Sequence, residues 1–395
     1  MKPLKQNAGQ SARESVSLIT NIAIFAGTAA SIAMFSDGLV PSHYKTLHFA
    51  LSYEVEFLKR GLVGEVFRIL GLSPWSAAPG IFTLIVLVLL GGVYMIATHT
   101  LLRQHAHPLL GLVLVALWAS PAAIPHLSAD FGRFDALLIL VLGLWAVCSY
   151  ALSATPSLML LTVGACCSVL IHEVALFATV PIGLVLWLIR YDEPLVSSST
   201  VAFSLVISLT FALTWTFGGA GSLDPDGIVA MIAEHYGPSD YSIELMLLLL
   251  FGGMPENVSY SASYATRSAP LKEHLQFVVV MSGFMLLLGT MVATAVRRLP
   301  IRGFVAIVGC FAPLALYPFG YDYFRWLSFV LINMTILSVW VMLHDPRVTE
   351  AVILRCENWR NTIICLVFLF LAVGPVGIFT GFSLREAPLV TLLVP

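Results

Sequence analysis

SLMLLTVGACCSVLIHEVALFATVPIGLVLWLI, Ser157 to Ile189, is an apolar run interrupted near its middle by His172-Glu173 and then by Pro181. One membrane crossing takes about 20 apolar residues. The run is too long for one ordinary helix and barely long enough for two. Its reading sets the side of every later loop. As a single span it would place Arg297-Arg298-Arg302 and the group Arg347, Arg355, Arg360 outside. As two short spans meeting at His172-Glu173, it puts both clusters on the inside, with Lys2, Lys5, Arg13 and Arg103. That satisfies the positive-inside bias along the whole chain. The two-span reading is therefore adopted.

The rest of the chain has the composition this requires. Of its 395 residues 58% are hydrophobic and only 11% charged, against about a quarter charged in a soluble domain. Further apolar runs lie near 17–35, 81–102, 108–127, 136–153, 198–217, 275–296, 303–320, 325–343 and 361–381. The expectation is an all-α polytopic membrane protein, one transmembrane domain over 1–395, with about eleven spans and its C-terminus outside. The first run is read as an uncleaved span with a cytoplasmic N-terminus, because some nineteen apolar residues is long for a signal-peptide core. The six cysteines fall in spans or on the basic side, so no disulfide framework is expected. Nothing in this composition points to nucleic acid.

On this topology the segments 36–80, 130–135, 172–173, 218–273 and 321–325 share the external face. Charge at hydrocarbon depth costs about 2.5–3.5 kcal/mol per residue on the insertion scale, so several charges at one edge predict a polar cavity there. The first loop contains SYEVEFLKRGLVGE, Ser52 to Glu65. Apolar residues from Leu51 to Leu70 recur three and four apart, which predicts an interfacial amphipathic helix. On such a helix Glu54 and Glu56 point about 200° apart. Glu56 shares a face with Lys59 and Arg60, which leaves Glu54 as the candidate general base and Glu56 as its scaffold. Lys59 and Arg60 are candidate phosphate contacts. A surface helix with an ordinary Glu56–Arg60 pair stands as the plain alternative.

Three further constellations lie on the same face. Asp130-Phe-Gly-Arg133 and Asp322-Tyr-Phe-Arg325 both read D-x-x-R, each in a turn after a proline-containing run, and Asp135 adds to the first. Each is a helix-end ion pair or a carboxylate oriented by arginine in a polar site, and both readings stay open. His172-Glu173 must find partners or water, and a simple turn would more naturally use Gly, Asn or Ser. HExxH zinc spacing is not met, since Leu occupies position 176. In 218–273, DPDG at 224–227 begins like a calcium loop but lacks the Asp and Gly that should follow.

The topology and the acidic first loop, with Glu54-Val-Glu56 and Asp37 nearer the first span, resemble the C-type glycosyltransferase superfamily and its relatives in bacterial surface-glycan synthesis. The resemblance implies an enzyme of the bacterial inner membrane. It would move a sugar from a polyprenyl-phosphate carrier to a glycan, lipid or protein acceptor on the external face. The carrier's phosphate would meet Lys59, Arg60, Arg133 and Arg325, near Asp130, His172, Glu173 and Asp322. A divalent cation, if used, would favour carboxylate oxygens. A lipid-linked glycan polymerase or ligase is the second expectation. That class tends to use arginines in a large external loop, whereas 218–273 is mostly acidic. A secondary transporter is the third; it would need discontinuous helices and polar groups near the midplane.

Overall fold

The computed structural model describes residues 3–36, 38–54, 57–218, 225–238, 268–297, 300–318 and 322–375. Glu56, Asp37 and the segment 239–267 lie outside them, as does the end of the last expected span. The described residues are all-helical, and each apolar run of the sequence falls on a helix. Five helices are long and apolar enough to cross a membrane: Glu14–Phe35 within α1 (Pro3–Phe35), α4 (Ala78–Gln104), α8 (Ala154–Ile171), α11 (Ser198–Phe217) and α15 (Tyr323–His344). The chain is a membrane-embedded helical protein.

The other apolar helices are shorter, and their ends explain why. The expected span 108–127 divides into α5 (Pro108–Trp118) and α6 (Ile124–Ala129), parted by a turn containing Ser120-Pro121. The run 303–320 is α-helical only within α14 (Pro300–Phe311) and tightens into a 3₁₀ stretch over Ala312–Leu316, where Pro313 has no N–H to offer. The long run around His172 breaks too. His172 is extended (φ −161°, ψ 120°) at the end of α8. A single turn, α9 (Ala175–Ala178), follows before α10 (Val180–Tyr191), with Pro181 in its first turn where a missing N–H costs nothing.

α15 is the axis of the bundle. Its most apolar stretch is 83% buried, against 22–39% for the other four long helices, which means its neighbours are protein rather than lipid. A helix apolar on every side belongs inside. Its polar side chains hold the neighbours: Asn333 donates to the Ala178 carbonyl at 2.8 Å, and Trp340 Nε1 to that of Leu186 at 3.1 Å. α1 lies outermost, with Leu18, Ile19, Ile22, Phe25 and Met34 exposed. Its inner face packs on α4, α5 and α6, and Trp118 Nε1 donates to Thr28 Oγ1 at 2.9 Å.

The first loop folds over one end of the bundle, and here the expected helix shrinks. Only α3 (Gly61–Ile69) forms, and Arg60 before it is left-handed with φ 66°. Gly64 explains the tight seat of α3: a Cβ there would lie 1.8 Å from the Leu51 carbonyl oxygen. Phe49 packs against Phe67, Phe82 and Phe134 with ring centroids 4.7, 5.7 and 5.0 Å away. Val66, Ile69 and Leu70 stay exposed, an apolar face suited to the interface. Leu47, Leu51 and Leu58 are covered by Ile228 and Ile232 of α12 (Pro225–Tyr236).

Candidate ionic site

Breaks in the helices bring three turns together beneath the first loop. Arg325, in the first turn of α15, is 2% exposed. Its Nε donates to Asp135 Oδ2 at 2.6 Å and its Nη2 to Asp135 Oδ1, a bidentate pair. Asp135 opens α7 (Asp135–Ser149), where a carboxylate also suits the helix N-terminus. Arg325 Nη1 reaches Asp322 Oδ2 at 3.3 Å, and Arg133 Nη2 reaches the same oxygen at 3.4 Å. Arg133 Nη1 lies 3.3 Å from Asp130 Oδ1. Asp130, Arg133, Asp322, Arg325 and Asp135 thus form one chain of alternating charge. The two D-x-x-R turns, far apart in sequence, meet at Asp322.

A second arm crosses to the first loop. Arg325 Nη2 lies 3.3 Å from His172 Nε2, and His172 Nδ1 lies 3.3 Å from Glu173 Oε2. A neutral ring protonated on Nδ1 donates to Glu173 and accepts from Arg325 but forgoes the bond from Val174 N–H, which lies 3.3 Å from the same Nδ1. Burial and then Arg60 push the His172 pKa down to about 4, in keeping with a neutral imidazole. Glu173 also takes Arg60, through Nε at 3.1 and 2.8 Å and through Nη2. Burial acts to raise the Glu173 pKa, but Arg60 and His172 outweigh it and hold the carboxyl well below its ordinary value. The left-handed backbone at Arg60 turns its side chain toward this partner. Arg60 is therefore engaged across 113 positions with Glu173, not along a helix with Glu56.

The network leaves particular atoms open. Asp130 is 2% exposed, and its Oδ2 has no hydrogen-bond partner; neither has Asp322 Oδ1. Burial lifts the Asp130 pKa from the usual carboxylate range to about 7. His48, buried beside Phe134 and His172, has an unpartnered Nδ1. Burial, then Arg60, lowers its pKa well below the ordinary histidine value. Buried polar atoms are nearly always satisfied, so such atoms clustered at one site mark it as a place for a polar ligand or water. Among the described residues no three His, Cys, Asp or Glu side chains gather in a group that would hold a metal.

Of the sequence-predicted residues, Arg60, Asp130, Arg133, His172, Glu173, Asp322 and Arg325 all join this network. Lys59 borders it: its backbone N–H donates to the Gly218 carbonyl at 2.8 Å and its Nζ lies 5.3 Å from the Trp215 ring centroid. Glu54 sits elsewhere, exposed and 3.3 Å from His235 of α12. The helix on which Glu54 and Glu56 were set in opposition does not extend to Glu54. Glu65 serves the loop itself, accepting from Tyr53 N–H at 3.0 Å and from Arg68 at 2.6 and 3.0 Å. Asp135 and His48 were not singled out as site residues. Asp135 had a signal, since D-x-x-R-x-D places it two residues past Arg133; His48 had none.

The fold and this site define a class: a membrane-embedded helical protein whose broken helices bury a mixed carboxylate, arginine and histidine network at one end. No family model, curated protein or solved structure matches the chain.

Proposed function

We propose that this chain transfers a sugar from a polyprenyl-phosphate carrier to a glycan, lipid or protein acceptor, with the ionic network as its active region. In this reading the network faces the outside of a bacterial inner membrane, the N-terminus is cytoplasmic and the helices make eleven spans. The observation that carries it is Asp130. Buried, next to Arg133, with one oxygen unpartnered and a pKa near neutrality, it has the properties of a general base for an acceptor hydroxyl. Arg133 beside it supplies positive charge for phosphate. Arg325 and Arg60 are bound bidentately by Asp135 and Glu173 and act as the frame. Glu54, exposed and paired with His235 outside the network, takes the smaller part.

The test has two arms. Lipid retained by the purified protein is examined by mass analysis for a phosphorylated isoprenoid series. Turnover of that lipid is then compared in Asp130→Asn and Glu54→Gln at matched protein level. Loss of a general base costs about 10²–10⁴ in rate. Asp130→Asn should lose turnover and keep the lipid, while Glu54→Gln stays within about tenfold. Full turnover by Asp130→Asn would remove the proposal's base.

A secondary transporter is favoured by a different observation. Helices are interrupted after Trp118, at His172 and after Phe311, and the His172 break lies within the network; discontinuous helices are how transporters expose backbone to a substrate. Substrate-coupled proton flux in proteoliposomes, with no isoprenoid lipid bound, would select this reading.

A further inference from the structure

An apolar cleft of about 310 Å³ runs between α4, α7 and α15, from Leu127, three residues before Asp130, to Tyr150 and Leu343 at the other end of the bundle. Its walls include Ala97, Gly143, Ala146, Ile336 and Trp340. Along α15 it extends from Ile332 to Leu343, about 16 Å at 1.5 Å per residue. That is about half of a hydrocarbon core of roughly 30 Å, the depth of a single leaflet. Ile96 and Tyr150 on its lining are 53% and 47% exposed, so the cleft opens toward lipid.

Arg190, the one arginine of α10, stands beside the Tyr150 end of the cleft. Its guanidinium carbon lies 4.5 Å from the Tyr150 ring centroid, and Tyr150 lines the cleft. Nη1 is 2.6 Å from His344 Nε2. His344 Nδ1 lies 2.7 Å from the Trp340 carbonyl, so it carries the proton and Nε2 accepts from Arg190. Arg190 thus leans on a neutral imidazole. Among the described residues it has no carboxylate partner, and its Nε is buried without an acceptor. An uncompensated arginine beside a one-leaflet apolar cleft is complementary to an anion carrying a hydrocarbon chain.

We propose that this cleft binds an anionic glycerophospholipid, one acyl chain lying against Gly143 and Ala146 and the phosphate accepting from Arg190. Tyr150 and Trp340 meet edge to face, ring centroids 6.0 Å apart, at the boundary where amphipathic rings prefer to sit. Arg190 takes no part in the ionic network, and the proposal does not depend on the activity assigned there.

The experiment is native mass spectrometry of the delipidated, detergent-purified full chain, titrated with phosphatidylglycerol or with phosphatidylcholine of matched acyl length. One arginine at a membrane surface contributes about 1 kcal/mol toward anionic lipid, or about fivefold. The parent chain should bind phosphatidylglycerol about fivefold more tightly than phosphatidylcholine. Arg190→Gln should remove that preference, Arg190→Lys should keep most of it, and Ala146→Leu, which fills the cleft, should weaken both lipids. Equal binding of the two lipids by the parent overturns the proposal, as does phosphatidylglycerol binding unchanged in both Arg190→Gln and Ala146→Leu. If Arg190→Gln fails to fold, the parent's lipid preference and the Ala146→Leu titration decide.

Discussion

Arg325 and Asp135 are each about 2–3% exposed at the side chain and hold one another with two hydrogen bonds. Removing one partner of such a buried pair strands the other charge and costs about 3–5 kcal/mol, whereas an apolar replacement of both is often neutral. Arg325→Ala should therefore abolish accumulation of folded protein, and Arg325→Met with Asp135→Leu should restore much of it. Size-exclusion profiles at equal expression check this; a monodisperse Arg325→Ala would show that the pair is not structural. The D-x-x-R pattern they share predicts that Arg325→Ala and Arg133→Ala both reduce activity more than expression. The contacts now divide them, and that expectation stays with Arg133. Asp130 carries the pH dependence. Its pKa is about 7 when folded and about 3.9 when unfolded, so the folded chain binds the proton more tightly. That contribution is complete below about pH 4 and is lost as pH rises through about 7. Against Asp130→Asn, which cannot titrate, the parent should lose thermal stability steadily from pH 4 to 7. Parallel profiles for the two proteins would place the Asp130 pKa outside that window.

At the scale of the element, the first loop depends on close backbone approach. A Cβ at Gly64 would meet the Leu51 carbonyl oxygen and carbon at 1.8 and 2.7 Å. Backbone cannot swing aside as a side chain can, so α3 must lift from the bundle. Gly64→Ala should cost about 1–3 kcal/mol, the usual range for overpacking. A fall of several degrees in the apparent melting midpoint is the expected readout, with faster proteolysis within 50–70. Gly92 on α4 is the control, since a Cβ there meets nothing within 4 Å. Gly92→Ala should leave the midpoint unchanged or raise it slightly, because alanine is the better helix former. Equal effects at the two positions would mean that helix propensity, not the seat of α3, governs the loop.

For the whole molecule, the decisive question is which side each end faces. α4 has 27 residues, about 40 Å of helix, long enough to set its two ends on opposite sides of a core of roughly 30 Å. Ser76 and Gln104 are both exposed and flank or end this helix. In a background lacking the native cysteines, Ser76→Cys should react with an impermeant thiol reagent on intact cells and Gln104→Cys should not. Labelling of both would show that α4 does not span, and the reverse pattern would place the ionic network on the inner face.

Composition and periodicity determined that this chain is helical and membrane-embedded, because burying or lipid-facing twenty apolar residues leaves a helix as the means of satisfying their backbone. They also marked the charges that mattered. A charge in greasy sequence is costly, so Asp130, Arg133, His172, Glu173, Asp322 and Arg325 stood out with no structure at hand. Partnership was not legible. Periodicity set Arg60 against Glu56, but the left-handed turn at Arg60 sends it to Glu173; local spacing registers neighbours along one helix and not a residue 113 positions away. Asp135 reads as a helix-start acid until α15 brings Arg325 onto it. Glu54 reads as the base on a continuous helix that the chain does not form. Only the tertiary structure could choose among these pairings, since the interaction of two charges depends on their distance and burial, and both are set by how the broken helices pack.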